Sequence, residues 1–297
     1  MNISQINIYP VKSLKGMRLD SSVVEKRGLR FDRRWMLTDR NGYFFTQREL
    51  PHMATIRIAI DGDELTAAAP GTEELRLPLH PEIRLRQHVT VWQSEVEAHV
   101  YDRHVNEWFS EVLKRECRLV LMPETTERHV SEQFDSGEDI VSFADGYPLL
   151  LIGEASLEEL NRRISVNSDK STLEGRLESR GVTMDRFRPS IVVRGSEPFA
   201  EDDWAKIRVG EATFRVVKPC GRCVITTIDQ EKGEVVGKEP LRTLATFRKA
   251  SDVRPVGYER FGHGPTSVLF GENLIPENPG AVVSLGDEVE VLEYREK

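Results

Sequence analysis

Cysteine is scarce in this chain: three residues in 297, at Cys117, Cys220 and Cys223. Three thiols build no disulfide framework, so a reducing cytoplasm is the expected compartment. No apolar run approaches the about 20 residues that cross a bilayer. The start, Met1-Asn2-Ile3-Ser4-Gln5-Ile6, lacks the basic and apolar regions of a signal peptide, so no membrane association is expected. The seven histidines are scattered, and no pair has zinc-finger spacing. Gly233-Glu234-Val235-Val236-Gly237-Lys238 is one residue short of a P-loop and lies where a hairpin is expected. A Gly-x-Ser-x-Gly elbow, a His-Glu-x-x-His metalloprotease motif and a dinucleotide fingerprint are all missing. Repeats and low-complexity tracts are missing too.

What is present is a hydrophobic fraction of 39% and a charged fraction of 30%, the composition of a globular protein with a substantial core. The net charge of −8 speaks against stable nucleic-acid binding. Its distribution is uneven. Residues 1–34 hold Lys12, Lys15, Arg18, Lys26, Arg27, Arg30, Arg33 and Arg34 against three acids. Residues 124–145 hold seven acids and one base, Arg128. Either run is a solvated surface by default. The basic one could instead receive a phosphate-bearing ligand, and the acidic one could dock a partner through complementary charge.

Short strands dominate the first ~100 residues by their alternation and turn residues. Trp35–Thr38 and Tyr43–Thr46 flank Asn41-Gly42, a hairpin signal. A second hairpin is predicted at Ile56–Thr66, with further strands at Glu74–Leu77 and Val89–Trp92. Val105, Trp108, Phe109, Val112 and Leu113 fall on one face of a helix, and Cys117 after it is expected to be a buried structural thiol. Past the acidic segment, read as a long loop, Tyr147–Ile152 predicts a buried strand. Ser156 with Glu159 predicts a capping box that opens a helix to about Ile164. Asn167–Arg180 is expected to be an exposed connection. Strands are predicted at Ser190–Val193, Lys206–Val209 and Thr213–Val217, a short helix after Pro240, and two strands around Leu285-Gly286-Asp287. The fold class is mainly β with a few helices (α+β).

Chemistry concentrates at Lys218-Pro219-Cys220-Gly221-Arg222-Cys223, where two thiols stand beside two cations. Positive charge stabilises a thiolate, so a metal ligand or a redox centre is indicated. A thioredoxin-like site needs its first cysteine at a helix N-terminus, and Val224-Ile225-Thr226-Thr227-Ile228 favours a strand instead. Structural zinc needs four ligands, and only Cys117 is left to help. Two small buried residues at a strand end remain the competing reading.

Six motifs in register resemble a known family: Ile8-Tyr9-Pro10-Val11-Lys12-Ser13, Asp32-Arg33-Arg34-Trp35, Phe143-Ala144-Asp145-Gly146-Tyr147-Pro148, Arg186-Phe187-Arg188-Pro189, Pro219-Cys220-Gly221-Arg222-Cys223 and Phe270-Gly271-Glu272-Asn273-Leu274. Their order is similar to MOSC proteins with an N-terminal MOSC β-barrel domain, among them the mitochondrial amidoxime-reducing components and bacterial reductases of N-hydroxylated bases. The resemblance implies an N-terminal MOSC β-barrel domain over residues 1–122 that contributes cofactor contacts. A MOSC β-barrel domain over 123–297 would carry the metal-ligand cysteine.

It also implies a molybdenum cofactor (molybdopterin) with the Cys223 thiolate on the metal and Cys220 beside it as a non-ligand. Lys12, Ser13 and Arg33 would meet the pterin and its phosphate, with Asp145, Arg188 and Arg222 as further contacts. Ser190 departs from the animal reductases, which carry asparagine there. The expected activity is molybdenum-dependent reduction of small N-hydroxylated compounds, with Asp145 as a candidate general acid. Pyridoxal phosphate binding goes with the same resemblance. Some bacterial relatives carry a C-terminal ferredoxin; this sequence has no cluster cysteines, so electrons are expected from a separate donor of flavin, ferredoxin or cytochrome type, or from a further domain outside this sequence. The competing function is a sulfur (persulfide) or molybdenum-cofactor carrier.

Overall fold

The computed structural model describes residues 1–82, 84–168 and 180–296. Strands account for 38% of the structure, and the largest sheet curls into a half-barrel. Its eight strands run in the order Met17–Leu19, Asn2–Ile8, Ile191–Arg194, Leu149–Gly153, Leu269–Pro276, Ala212–Gly221, Trp204–Val209 and Val289–Tyr294. The first strands of the chain therefore pair into a sheet built mostly from its second half. Leu149–Gly153 runs parallel to Ile191–Arg194, a pairing that needs a crossover, and the Glu154–Asn167 helix lies in that connection.

Local chemistry explains the registers. Ile3, Ile6 and Ile8 are all buried although Ile3 is out of phase with the other two for a period of two. A bulge between Ile3 and Gln5 against Ile191–Arg194 takes up the extra residue and restores the phase. A four-stranded sheet orders Trp35–Thr38, Arg118–Leu121, Ser94–Val100 and Leu85–Val91, and a three-stranded one orders Arg57–Asp61, Glu64–Ala68 and Leu75–Pro78. The Arg103–Leu113 helix buries Val105, Phe109 and Leu113 against their strands. Cys117 lies in that core, its N–H donating to Ser110 Oγ at 3.0 Å, and burial pushes its thiol up to about 11. It is the inert structural thiol that its position predicts.

Several expectations are corrected. The second arm of the Asn41-Gly42 hairpin is no regular strand; Thr38 and Phe44 make an isolated bridge. Val224–Thr227 is a 3₁₀ turn and not a strand, because the Thr226 and Thr227 hydroxyls donate back to the carbonyls of Cys223 (3.0 Å) and Val224 (2.7 Å). The strand precedes the cysteines, ending at Gly221. Ser156 caps nothing: Gly153 is the N-cap, and the Ser156 hydroxyl donates to the buried Glu201 carboxylate while Glu159 pairs with Arg162 and Arg163. The strands around Leu285-Gly286-Asp287 do not pair with each other; Val282–Ser284 joins Ser21–Glu25, and Val289–Tyr294 joins Trp204–Val209. The predicted connection at 167–180 lies, over 169–179, outside the described residues.

The two charged runs meet each other. Arg34 binds Glu124, Lys26 binds Glu138 at 3.0 Å, Asp139 is taken by Arg215, and Asp135 by His129 at 2.9 Å. Glu124, Glu138 and Asp139 of the acidic segment thus have cationic partners within the protein, while Glu124 and Glu138 stay exposed. No helix among the described residues is long and apolar enough to cross a membrane.

Candidate active site

A cleft opens where the N-terminal strands meet the end of the Ala212–Gly221 strand. It gathers Lys12, Ser13 and Arg33 from the start of the chain with Asp145 from the acidic segment. Arg188, Cys220, Arg222 and Cys223 complete the set that the sequence singles out. Between 112 and 211 residues of chain separate Lys12, Ser13 and Arg33 from the other five, so only the fold brings them together.

The Cys220–Cys223 loop is held from behind. Arg222 donates through Nε to the Phe270 carbonyl at 2.7 Å and through Nη1 to the Phe187 carbonyl at 3.0 Å, and its own N–H bonds Val268 O at 2.7 Å. Its guanidinium anchors the loop to two neighbouring segments. The strand carrying Phe270 approaches closely because Gly271 takes a φ of +77°; a Cβ there would meet Ile152 Cγ1 at 2.6 Å and Leu151 O at 2.8 Å. Burial pushes the Cys220 thiol up, and that side chain packs partly against the core. Cys223 differs: Arg48 Nη2 donates to its Sγ at 3.2 Å.

Opposite the loop stands Tyr9, buried, with the Arg33 and Arg188 guanidinium carbons 4.3 and 4.1 Å from its ring centroid. Both cations are satisfied at their rear. Arg33 pairs with the buried Asp32 and donates to Arg188 O at 3.3 Å; Arg188 donates to Leu14 O at 2.8 Å. Burial pushes Arg188 down to about 10, still charged at neutral pH. Ser13, Arg33 and Arg188 all have positive φ (67°, 50° and 56°), a region that side chains other than glycine seldom adopt. Such strain concentrates where a site's geometry is over-determined.

Lys12, only 6% exposed, donates to Phe143 O at 2.7 Å and to Asp145 Oδ1 at 2.5 Å. Arg128 shapes this turn by donating to the carbonyls of Ser142, Ala144 and Asp145. Desolvation in the recess works against ionisation of Asp145, but the Lys12 ammonium and the Trp92 indole N–H at 3.1 Å outweigh it. They hold the carboxyl well below the ordinary carboxylate range. A group held that low donates no proton near neutral pH, so its geometry suits a fixed anion and not the general acid expected from the sequence.

The lining residues include six cations, Lys12, Arg33, Arg48, Arg186, Arg188 and Arg222, and one carboxylate, Asp145. Such a surface favours a phosphate-bearing anion. Among the described residues no three His, Cys, Asp or Glu side chains converge to hold a metal ion. Any metal in this cleft would need its remaining ligands from an organic carrier, with Cys223 as a soft protein donor. The residues therefore fit a metal–organic cofactor with an anionic tail.

Sequence reasoning missed Arg48, and it read Trp92 as part of a strand. Arg48 follows Gln47, which is fully buried, donates to Ser13 O at 2.8 Å and exchanges hydrogen bonds with Gln230. No spacing or motif marks that loop, and only its approach to Cys223 reveals it.

Comparison with known proteins gives two family matches: the MOSC N-terminal beta barrel domain over residues 1–116 and the MOSC domain over residues 138–290. Mitochondrial amidoxime-reducing component 1 of Homo sapiens is 32% identical, over 98% of this chain and 82% of that protein. Mitochondrial amidoxime reducing component 2 of Rattus norvegicus is 31% identical, over 97% and 82%. Molybdenum cofactor sulfurase of Oryza sativa subsp. japonica is 35% identical over 92% of this chain, which spans 34% of that protein's length.

Proposed function

Because the chain belongs to the MOSC family, we propose that it is a molybdenum-cofactor-dependent oxidoreductase that reduces N-hydroxylated compounds. The observation that carries this reading is the Cys223 thiol, exposed to a cationic cleft and hydrogen-bonded by Arg48 at 3.2 Å, with no other protein ligands converging among the described residues. Cys223 would bind the metal. Lys12, Ser13, Arg33 and Arg188 would hold the pterin and its phosphate, and Arg222 would fix the loop that presents the thiolate. When bound, the cofactor supplies the two-electron redox chemistry. Asp145 keeps Lys12 in place, Arg128 holds the Asp145 turn, and the Tyr9 ring packs against the Arg33 and Arg188 guanidiniums.

Reduction of an N–OH to an N–H consumes two electrons and two protons and releases water. The electrons would come from a separate donor protein of flavin, ferredoxin or cytochrome type. The three free cysteines fit a reducing cytoplasm. Lys12 is committed to Phe143 O and Asp145, so the reading has no place for a pyridoxal phosphate Schiff base on it.

The sulfurase relative favours a second reading, a sulfur or cofactor carrier, in which Cys223 holds a persulfide. Metal analysis of protein made in a cofactor-competent host, run beside an N-hydroxy reductase assay, separates the two. Stoichiometric molybdenum with reductase turnover supports the first. Cyanide-labile sulfur on Cys223 without molybdenum supports the second.

A further inference from the structure

Trp92 stands at the tip of a two-residue turn joining Leu85–Val91 to Ser94–Val100, where Val91 pairs with Ser94. Its φ is +56° and Gln93 is not in that region, a turn whose first central position strongly prefers glycine. A tryptophan there is strained, and it is 47% exposed, so burial does not explain it. The indole is nevertheless held on three sides. Its N–H donates to Asp145 Oδ1 at 3.1 Å, Phe44 meets it edge-on at 5.3 Å, and the Arg48 guanidinium lies 5.0 Å from its ring centroid. The same guanidinium reaches Cys223 Sγ at 3.2 Å. A flat, delocalised N–C–N group thus already bridges an aromatic face and the thiol.

We propose that Trp92 and Arg48 form the substrate subsite at the cleft mouth. Trp92 is the stacking wall, and the exposed Arg48 guanidinium occupies the position that a planar N-hydroxylated amidine or guanidine takes over. The proposal rests on the reductase reading for its chemistry. Its stacking argument stands on geometry alone: an N-hydroxylated amidine or guanidine shares the flat N–C–N shape of the guanidinium and stacks on the ring face in its place, charged or not. Non-planar aliphatic hydroxylamines gain no such stacking. Trp92 is therefore a specificity-determining residue that acts on binding, not on the redox step.

The first test needs no loaded cofactor. Benzamidine, a flat unreactive amidine, and cyclohexylamine, a non-planar amine, are titrated by calorimetry into the full-length protein. Benzamidine affinity should fall about tenfold in Trp92→Gly and recover largely in Trp92→Phe, as expected for loss and return of an aromatic partner. Arg48→Met should tighten benzamidine binding, because it removes the competing guanidinium. Cyclohexylamine, an ammonium that meets the ring through charge without stacking, should lose less affinity than benzamidine in Trp92→Gly. Trp92→Gly should melt no lower than the wild type, since glycine relieves the positive φ. Unchanged benzamidine affinity in Trp92→Gly would overturn the proposal, as would a melting point lowered in step with the lost affinity.

The second test uses the loaded enzyme. Trp92→Gly should raise KM for an aromatic amidoxime about tenfold more than KM for N-hydroxycyclohexylamine, with any change in kcat shared by both substrates. An equal loss for both substrates would overturn the proposal. If loaded wild-type protein reduces neither substrate, the reductase reading fails, and the benzamidine titration still decides the subsite.

Discussion

Arg248 donates to both oxygens of Asp202, at 2.6 and 2.9 Å, and Arg295 reaches Glu272 at 2.9 Å and the Asp202 carbonyl at 2.8 Å. These charges form a buried knot beside the Leu269–Pro276 strand. The cleft uses the same residue types differently. Arg188, Arg222 and Lys12 each donate to backbone carbonyls, and Arg33 and Arg188 rest on the Tyr9 ring. In the knot each arginine has a carboxylate partner, with its other donors on the carbonyls of Leu269, Asp202 and Val216. In the cleft Lys12 and Arg33 also have carboxylate partners, but Arg188 and Arg222 are held by carbonyls and rings, so six lining cations face one lining carboxylate and positive charge is in excess.

The largest expected effect falls at the thiol. Cys223→Ser should abolish reductase turnover and weaken metal retention, because a hydroxyl replaces a soft thiolate poorly. Cys220→Ser should keep most activity. Equal losses measured by turnover and metal content would merge the two cysteines into one centre and remove the distinction drawn between them.

Breaking the knot should act on stability alone. Arg248→Met leaves Asp202 buried without its bidentate partner, and such a break costs about 3–5 kcal/mol. Denaturant unfolding should show that loss, while cofactor content per folded molecule stays at the wild-type level. Reduced content in the folded fraction would mean that the two clusters are not independent.

Arg188→Met sharpens the comparison from the cleft side. A charge-assisted hydrogen bond is worth about 1.5–3 kcal/mol, so cofactor affinity should fall roughly ten- to a hundredfold. Stability should change much less, because no carboxylate loses its ion-pair partner. Arg33→Ala is a poorer probe, since it strands the fully buried Asp32. Normal cofactor retention in Arg188→Met would take the arginine out of the site.

A further effect is a pH dependence. Burial pushes Glu272 up from 4.5 to about 8, against the pull of Arg295. The folded state therefore holds a proton that the unfolded chain has released between these values. Stability from this group is full below about pH 4.5 and is lost as pH rises through about 8. Melting temperature should decline across that window in the wild type and decline less in Glu272→Gln. An identical profile in the variant would remove Glu272 as the source.

Much of the fold was legible because strand alternation and helix periodicity are local. The stripe Val105, Phe109 and Leu113 predicts its helix, and the turn residues Gly62-Asp63 predict the Arg57–Ala68 hairpin. Misreadings came where a side chain had a better partner elsewhere. Ser156 left its cap for Glu201, and Thr226 and Thr227 curled a β-branched run into a 3₁₀ turn. Among the acids of 124–145, the partners of Glu124, Glu138 and Asp139 (Arg34, Lys26 and Arg215) lie far away in the chain and could not be read from the segment itself.

By itself the sequence determined the mainly β class, the inert character of Cys117 and, through six motifs in register, a set of residues expected to share a site. Tertiary structure alone decided that these residues line one cleft and that Asp145 stays ionised. It also decided that Arg48 and Trp92 belong at the mouth. The physical reason is distance along the chain. A period of two or of 3.6 is written in neighbouring residues, whereas the field on a carboxylate or a thiol depends on which distant segments the sheet brings within about 4 Å.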